Sequence, residues 1–205
     1  RFLNSSSPEL TRLLVRYWKD QQTVFTFKEI REAIQAGVIS KKSVEEWQQD
    51  YSKLVHDKIA PEMVKAMKAG AKNQNQHKGI DIGYKFDADH WAVSDWLEKH
   101  TAELVTNCTR VQKDAIQSMI DLGIRKHMGT DELARFIRPC IGLTKPQTQA
   151  AMKYYENIKE ELTKKHPRTS PEKIEKMARD KQMKYAEKRL RERAVTIAQT
   201  ERAFA

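Results

Sequence analysis

The sequence predicts an all-α protein: a helical bundle with a helical N-terminal arm, a short extended segment near 80–86 and a long C-terminal helix. Three observations point there. Apolar residues recur at three- and four-residue spacing along most of the chain, the period of one helix face. Capping signals of the Ser/Thr-x-x-Glu/Gln kind stand before several of those runs. Only seven glycines and six prolines occur in 205 residues, too few for a turn-rich β architecture.

Taken in order, Ser7-Pro8-Glu9 reads as a helix start: a capping hydroxyl, Pro at the first helical position, an acid in the first turn. Leu10, Leu13, Leu14, Tyr17 and Trp18 carry the face behind it. Thr26-Phe27-Lys28-Glu29 is a capping box opening a short helix through Ile30 and Ile34, with Gly37 as its stop. Ser43-Val44-Glu45-Glu46 opens the next, through Trp47, Tyr51, Leu54, Val55 and Ile59. Pro61 kinks or divides it, and Met63, Ala66 and Met67 resume the pattern up to Gly70. Residues 1–70 are therefore expected to form a helical hairpin or arm. Residues 71–86 read as a linker and extended segment, because 70–79 are polar and bounded by glycine. Ile80, Ile82, Tyr84 and Phe86 alternate strictly, and a lone strand has no partner, so an extended arm lying on helices is expected there, or at most a short strand completed by another subunit.

Residues 87–205 form the remaining expected domain. Helices are read over Asp87–Asn107 and from about Thr109 to Leu122, where Gly123 stops the pattern. Thr130-Asp131-Glu132 starts a short helix ended by Pro139 and Gly142. Thr144-Lys145-Pro146-Gln147 is a second capping box, and Ala151, Tyr154, Ile158 and Leu162 share a face behind it. Ser170-Pro171-Glu172 starts the final helix, with Met183, Ala186, Leu190, Ala194, Ile197 and Phe204 on one stripe. Glu201 falls in the middle of that stripe. A carboxylate in an apolar setting is costly unless a cation or several donors meet it. Its neighbours one turn away, Ile197 and Ala205, cannot do so, and the partner is expected from another helix.

The formal charge is +10. Residues 143–205 hold 16 Lys and Arg against 9 Asp and Glu, seven of that excess. An uneven basic balance suggests an anionic partner, nucleic acid first with a membrane or an acidic protein behind it, or equally an ordinary solvated helix surface. Lys164, Lys165, Arg168, Lys181, Lys184, Lys188 and Arg191 are the candidate contacts, to phosphates and without sequence specificity. Glu175, Asp180, Glu187 and Glu192 interrupt that face, so an ion-paired surface is an equal reading. The four tryptophans, Trp18, Trp47, Trp91 and Trp96, sit at helical spacing and are expected in core or subunit contacts rather than stacked on bases. Cys108 and Cys140 have no metal-ligand or redox spacing and read as reduced thiols. The six histidines are scattered, no phosphate-binding, nucleophile or zinc motif occurs, and no catalytic residue, cofactor or metal is expected. No apolar run is long enough to span a bilayer. The chain opens on Arg1 and stops at Ala205 inside a helical pattern, so trimmed ends are expected.

A series of short stretches, in order from about Phe86 to Ala205, resembles the phage Mu F-like head morphogenesis family. They are Trp96 to Asn107, the Gly123 turn with Glu132-Leu133-Ala134, Ile141-Gly142-Leu143-Thr144 followed by Gln147 and Gln149, and Arg193-Ala194-x-x-Ile197-Ala198-x-Thr200-Glu201. Where the family carries Arg before its Thr-Glu pair, this chain has Gln199. The resemblance implies a non-enzymatic minor head (minor capsid) protein of a tailed phage or prophage. It would be made in the bacterial cytoplasm and reside in the head interior or at the portal vertex. It would bind portal or major capsid subunits, with DNA backbone contact and homo-oligomers allowed for, and would act in head assembly, DNA packaging or ejection. The motif positions Gly142, Leu143, Thr144, Arg193, Ala194, Ile197, Ala198, Thr200 and Glu201 would be structural. Two rival readings stand beside it. One is a sequence-nonspecific helical nucleic-acid-binding module. The other is the non-catalytic N-terminal part of a larger phage-encoded toxin or enzyme.

Overall fold

The computed structural model describes residues 2–77 and 86–204, with side chains over 8–72 and 86–204 apart from that of residue 202. Eight α-helices make up the described chain: α1 Phe2–Val24, α2 Phe27–Ala36, α3 Lys41–Leu54, α4 Ala60–His77, α5 Trp91–Arg125, α6 Thr130–Ile137, α7 Lys145–Lys165 and α8 Pro171–Phe204. The all-α expectation and the long last helix are both met. The alternating run at Ile80, Ile82 and Tyr84 lies outside the described residues, and Phe86 is half-buried and non-helical.

Contacts divide the chain into two compact units, each assembled from separated stretches. One comprises Arg1–Leu14, Glu45–Thr109 and Ala194–Ala205; the other comprises Val15–Val44 and Arg110–Arg193. The expected sequential boundaries, 1–70, 71–86 and 87–205, are a different cut of the chain.

In the first unit, Leu10, Leu14, Trp47, Tyr51, Val55, Ile59, Met63, Leu104 and Val105 are buried. α3 and α4 are joined by one wide turn, Val55–Ile59, in which the Ala60 amide bonds the Val55 carbonyl five residues back. Pro61 follows at once. The extra residue moves the upstream carbonyls away from a ring that would clash with them in a regular helix, so the chain passes Pro61 without a break. Gly70 does not end α4, and residues 71–77 are helical rather than linker. One exposed glycine costs only about 1 kcal/mol against Ala, too little to stop an established helix. α1 likewise begins before Ser7-Pro8-Glu9. Pro8 is exposed, so a carbonyl left without a donor there can turn to water.

In the second unit, α2 has the expected capping box and ends at Gly37 in the left-handed region, φ 70°. The Val38 amide bonds the Ala33 carbonyl at 3.1 Å. The cap of α3 is Ser40 rather than Ser43: the Ser43 amide donates to Ser40 Oγ at 3.0 Å. α2 and α6 are in contact, with Arg31 and Asp131 paired at 2.8 Å.

α5 is one helix of 35 residues, not two, and Gly123 does not stop it. The stop comes at His127, φ 54°, where the Met128 amide reaches the Gly123 carbonyl at 3.0 Å. Gly123 serves close approach instead. A Cβ there would lie 2.3 Å from the buried Leu133 side chain of α6. α6 starts behind Gly129 without a side-chain cap. On α7, Thr148, Ala151, Met152, Tyr155 and Leu162 are buried, whereas Tyr154 and Ile158 are only partly so.

The stripe on α8 runs Ile174, Ala178, Gln182, Ala186 and Leu190 in this unit. Spacing of four rather than 3.6 makes it wind around the helix. Met183, placed on the stripe by periodicity, is 54 % exposed for that reason.

Tyr155 donates to Glu175 at 2.6 Å, and Lys159 pairs with the same carboxylate at 2.7 Å. Burial, then the hydrogen bonds and charges of Glu175 and Glu132, raise the Tyr155 phenol. Burial alone would raise the Glu175 carboxyl, but hydrogen bonds from Lys159 and Tyr155 and the charges of Lys159 and Arg179 hold it below the ordinary 4.5. A carboxyl lowered in the folded state stabilises above its unfolded pKa and loses that contribution as pH falls through the folded value. Between pH 6 and 4 the wild type is therefore expected to lose more melting temperature than Glu175→Gln. Parallel losses would deny the network that role.

Candidate functional site at the motif residues

The motif begins in the turn between α6 and α7. α6 tightens into a 3₁₀ turn, Arg138–Cys140, and Gly142 then takes φ 90°, a conformation open mainly to glycine. A Cβ at Gly142 would also lie 2.5 Å from the Trp18 ring and 2.9 Å from the Leu190 side chain. Cys140, Ile141 and Leu143 are fully buried, so this is a loop inside a core and its carbonyls need donors. Gln22 of α1 donates to the carbonyls of Pro139 at 3.3 Å and Ile141 at 3.2 Å. Arg138 Nε returns a bond to the Gln22 carbonyl at 2.6 Å, with its guanidinium 4.4 Å over the Phe27 ring.

Arg193 completes the node. Its Nη1 donates to the Gly142 carbonyl, and its guanidinium lies 4.8 Å from the centre of the Trp18 ring. The side chain is only 8 % exposed. A cation withdrawn from water is held here by a carbonyl dipole and the negative face of an indole, a geometry that the planar guanidinium suits better than an ammonium. Thr144 caps α7: the Gln147 amide reaches its hydroxyl at 3.4 Å, and the Thr144 amide donates to Gln147 Oε1 at 3.0 Å.

The remaining motif positions belong to the other compact unit. Ala194 and Ala198 are fully buried, Ile197 partly, and Thr200 is exposed. Glu201 is 6 % exposed, and its Oε2 lies 2.7 Å from His100 Nε2 on α5. The expected partner from another helix is thus a histidine. Its ring stacks on Trp96 at 4.5 Å and meets the edge of Phe204 at 5.6 Å. Phe204 is 64 % exposed, covering the histidine with one side of its ring rather than filling a core.

The seven basic candidates are all exposed. Lys164 pairs with Glu160 at 2.6 Å, Lys165 with Glu161, and Arg191 with Glu187 at 3.2 Å. Lys181 acts on the Glu161 carboxyl through its charge. Lys184, Lys188 and Arg168 form no salt bridge among the described residues. The face is therefore partly an ion-paired helix surface, each such pair being worth little in water.

Of the tryptophans, Trp18 and Trp47 are buried, Trp96 is half-buried, and Trp91, the first residue of α5, is 73 % exposed. Neither cysteine is in a disulfide, and both are buried. Burial pushes the Cys140 thiol up to about 12, against the lowering effect of the Gln182 amide that donates to its sulfur at 3.3 Å. Among the described residues no group of three or more His, Cys, Asp and Glu is placed to hold a metal ion, and no helix is long and apolar enough to cross a membrane.

Sequence reading missed the partners of these residues. Trp18, Gln22 and His100 carry no local signal linking them to residues roughly a hundred or more positions away. In comparison with known proteins, no protein-family model matches the chain, and no curated protein or solved structure does.

Glu201→Ala and His100→Ala are each expected to lower the melting temperature. In a double-mutant cycle read by urea unfolding they are expected to couple by roughly 1–3 kcal/mol. Strictly additive losses would deny the pair.

Proposed function

We propose that this chain is a structural minor head protein of a tailed phage or prophage, as its resemblance to the Mu F-like head morphogenesis family implies. One observation carries most weight. Gly142 and Arg193, which belong to separate stretches of that resemblance, are bonded directly across 51 residues of chain. Short scattered similarities gain force when their residues meet in one packed node. The roles of the motif residues support a non-enzymatic reading: Gly142 admits a ring, Thr144 caps a helix, Arg193 bridges, Ala194 and Ala198 pack, and Glu201 bonds a histidine. None of these uses leaves a group poised on a substrate.

On this reading the protein sits at the portal vertex or inside the head, binds portal or major capsid subunits, and acts in assembly, packaging or ejection. The positive excess of residues 143–205 favours DNA backbone contact as a second property, and on its own it supports the rival nucleic-acid-binding module. A steep fall in DNA affinity with salt, together with no affinity for head proteins, belongs to that rival.

Mass spectrometry of heads purified after infection or prophage induction tests the proposal. Peptides of this chain are expected in proheads or filled heads, at lower abundance than those of the major capsid protein. Their absence from both would contradict it.

A further inference from the structure

Within the second unit lies an open cleft of about 1010 Å³, lined by residues of α1, α2, α6, the 3₁₀ turn after it and α8. Its lining includes six cations but only two carboxylates, Asp180 and Glu187. Several cations are already engaged. Lys19 pairs with Glu187 at 2.5 Å, Arg138 lies on Phe27, and Arg179 is 3.9 Å from Glu175. Arg135, Lys176 and Lys184 are exposed and form no salt bridge among the described residues.

Between them the lining is apolar: Phe27, Pro139, Leu190 and Met183. Met183 is 54 % exposed. The floor also holds Gln182. It is fully buried, it donates to Cys140, and its Oε1 accepts no hydrogen bond.

We infer that this cleft is a docking site for an acidic amphipathic peptide segment of a partner protein, with carboxylates on the rim cations and an aliphatic or aromatic side chain against Met183, Phe27 and Leu190. One feature favours a peptide over nucleic acid. The apolar floor between charged walls suits the seam of an amphipathic helix or strand. Arg135 offers a fork that fits a carboxylate with two parallel bonds. The excess of positive charge steers an acidic partner in and sets a salt-dependent association rate. The inference concerns this cleft alone and stands or falls separately from the head-protein reading.

The test is fluorescence anisotropy with the full chain and a fluorescein-labelled peptide repeating Leu-Glu-Glu-Leu, at about 0.15 M ionic strength, where only close charge pairs still act. Comparison probes are oligoglutamate of equal charge and single-stranded oligothymidylate. The variant is Arg135→Glu with Lys176→Glu, both at exposed positions, with its melting temperature checked against wild type. Saturable binding of the Leu-Glu peptide is expected, tighter than that of oligoglutamate, and weakened roughly tenfold or more in the variant. No binding by the wild type, or binding unchanged in the variant, would overturn the inference. So would oligothymidylate displacing the peptide and itself being lost in the variant, which would make the cleft a single-strand site.

Discussion

A single buried guanidinium governs the second compact unit. Arg193 lies against the face of Trp18 and donates to the carbonyl of Gly142, bringing α1, α8 and the α6–α7 turn to one point. Each contact constrains the others. Trp18 can lie there only because position 142 has no side chain, and position 142 is held at φ 90° by the burial of Ile141 and Leu143 on either side. The turn can stay buried only because Gln22 and Arg193 satisfy its carbonyls. Removing any one member leaves a buried polar group unpaired or a cavity beside a tryptophan, both among the costlier changes a core can suffer.

The other unit has a node of similar logic and different chemistry. Glu201 is out of water, and an imidazole held between Trp96 and Phe204 meets it. In both places a polar group is taken into an apolar setting with one specific partner. Breaking such a pair by removing one partner leaves the other buried and unanswered, which is costly. The buried stripe of α8 is largely alanine, and small side chains spaced four apart fix the register of a neighbouring helix only weakly.

Much of the helix layout was legible in the sequence because caps and periodicity are local. Thr26 with Glu29, Thr144 with Gln147, and Ser170-Pro171 act as their spacing suggests. Glycine misled where one residue type serves two purposes. Gly37 ends a helix, but Gly123 lies inside one to let Leu133 approach, and His127 takes the left-handed stop. The polar stretch after Gly70 looked like a linker, yet helix propensity does not require an apolar face, and α4 runs on to His77. For the motif, the buried character of Glu201 could be read from its own helix. Its partner His100 and the Trp18 that meets Arg193 come from distant segments, and only the folded chain brings such pairs together. The same limit kept the cleft lined by Met183 out of sight: its cations come from α1, α6, the 3₁₀ turn after it and α8, and no single stretch looks like a site.

The central claim is that the Arg193 node is a true energetic unit. A double-mutant cycle of Arg193→Met and Trp18→Leu, read by urea unfolding of the full chain, measures this directly. A coupling of about 1–2 kcal/mol is predicted, since each substitution alone already breaks the shared contact. Additivity within about 0.5 kcal/mol would contradict it and leave the guanidinium a bystander beside the ring.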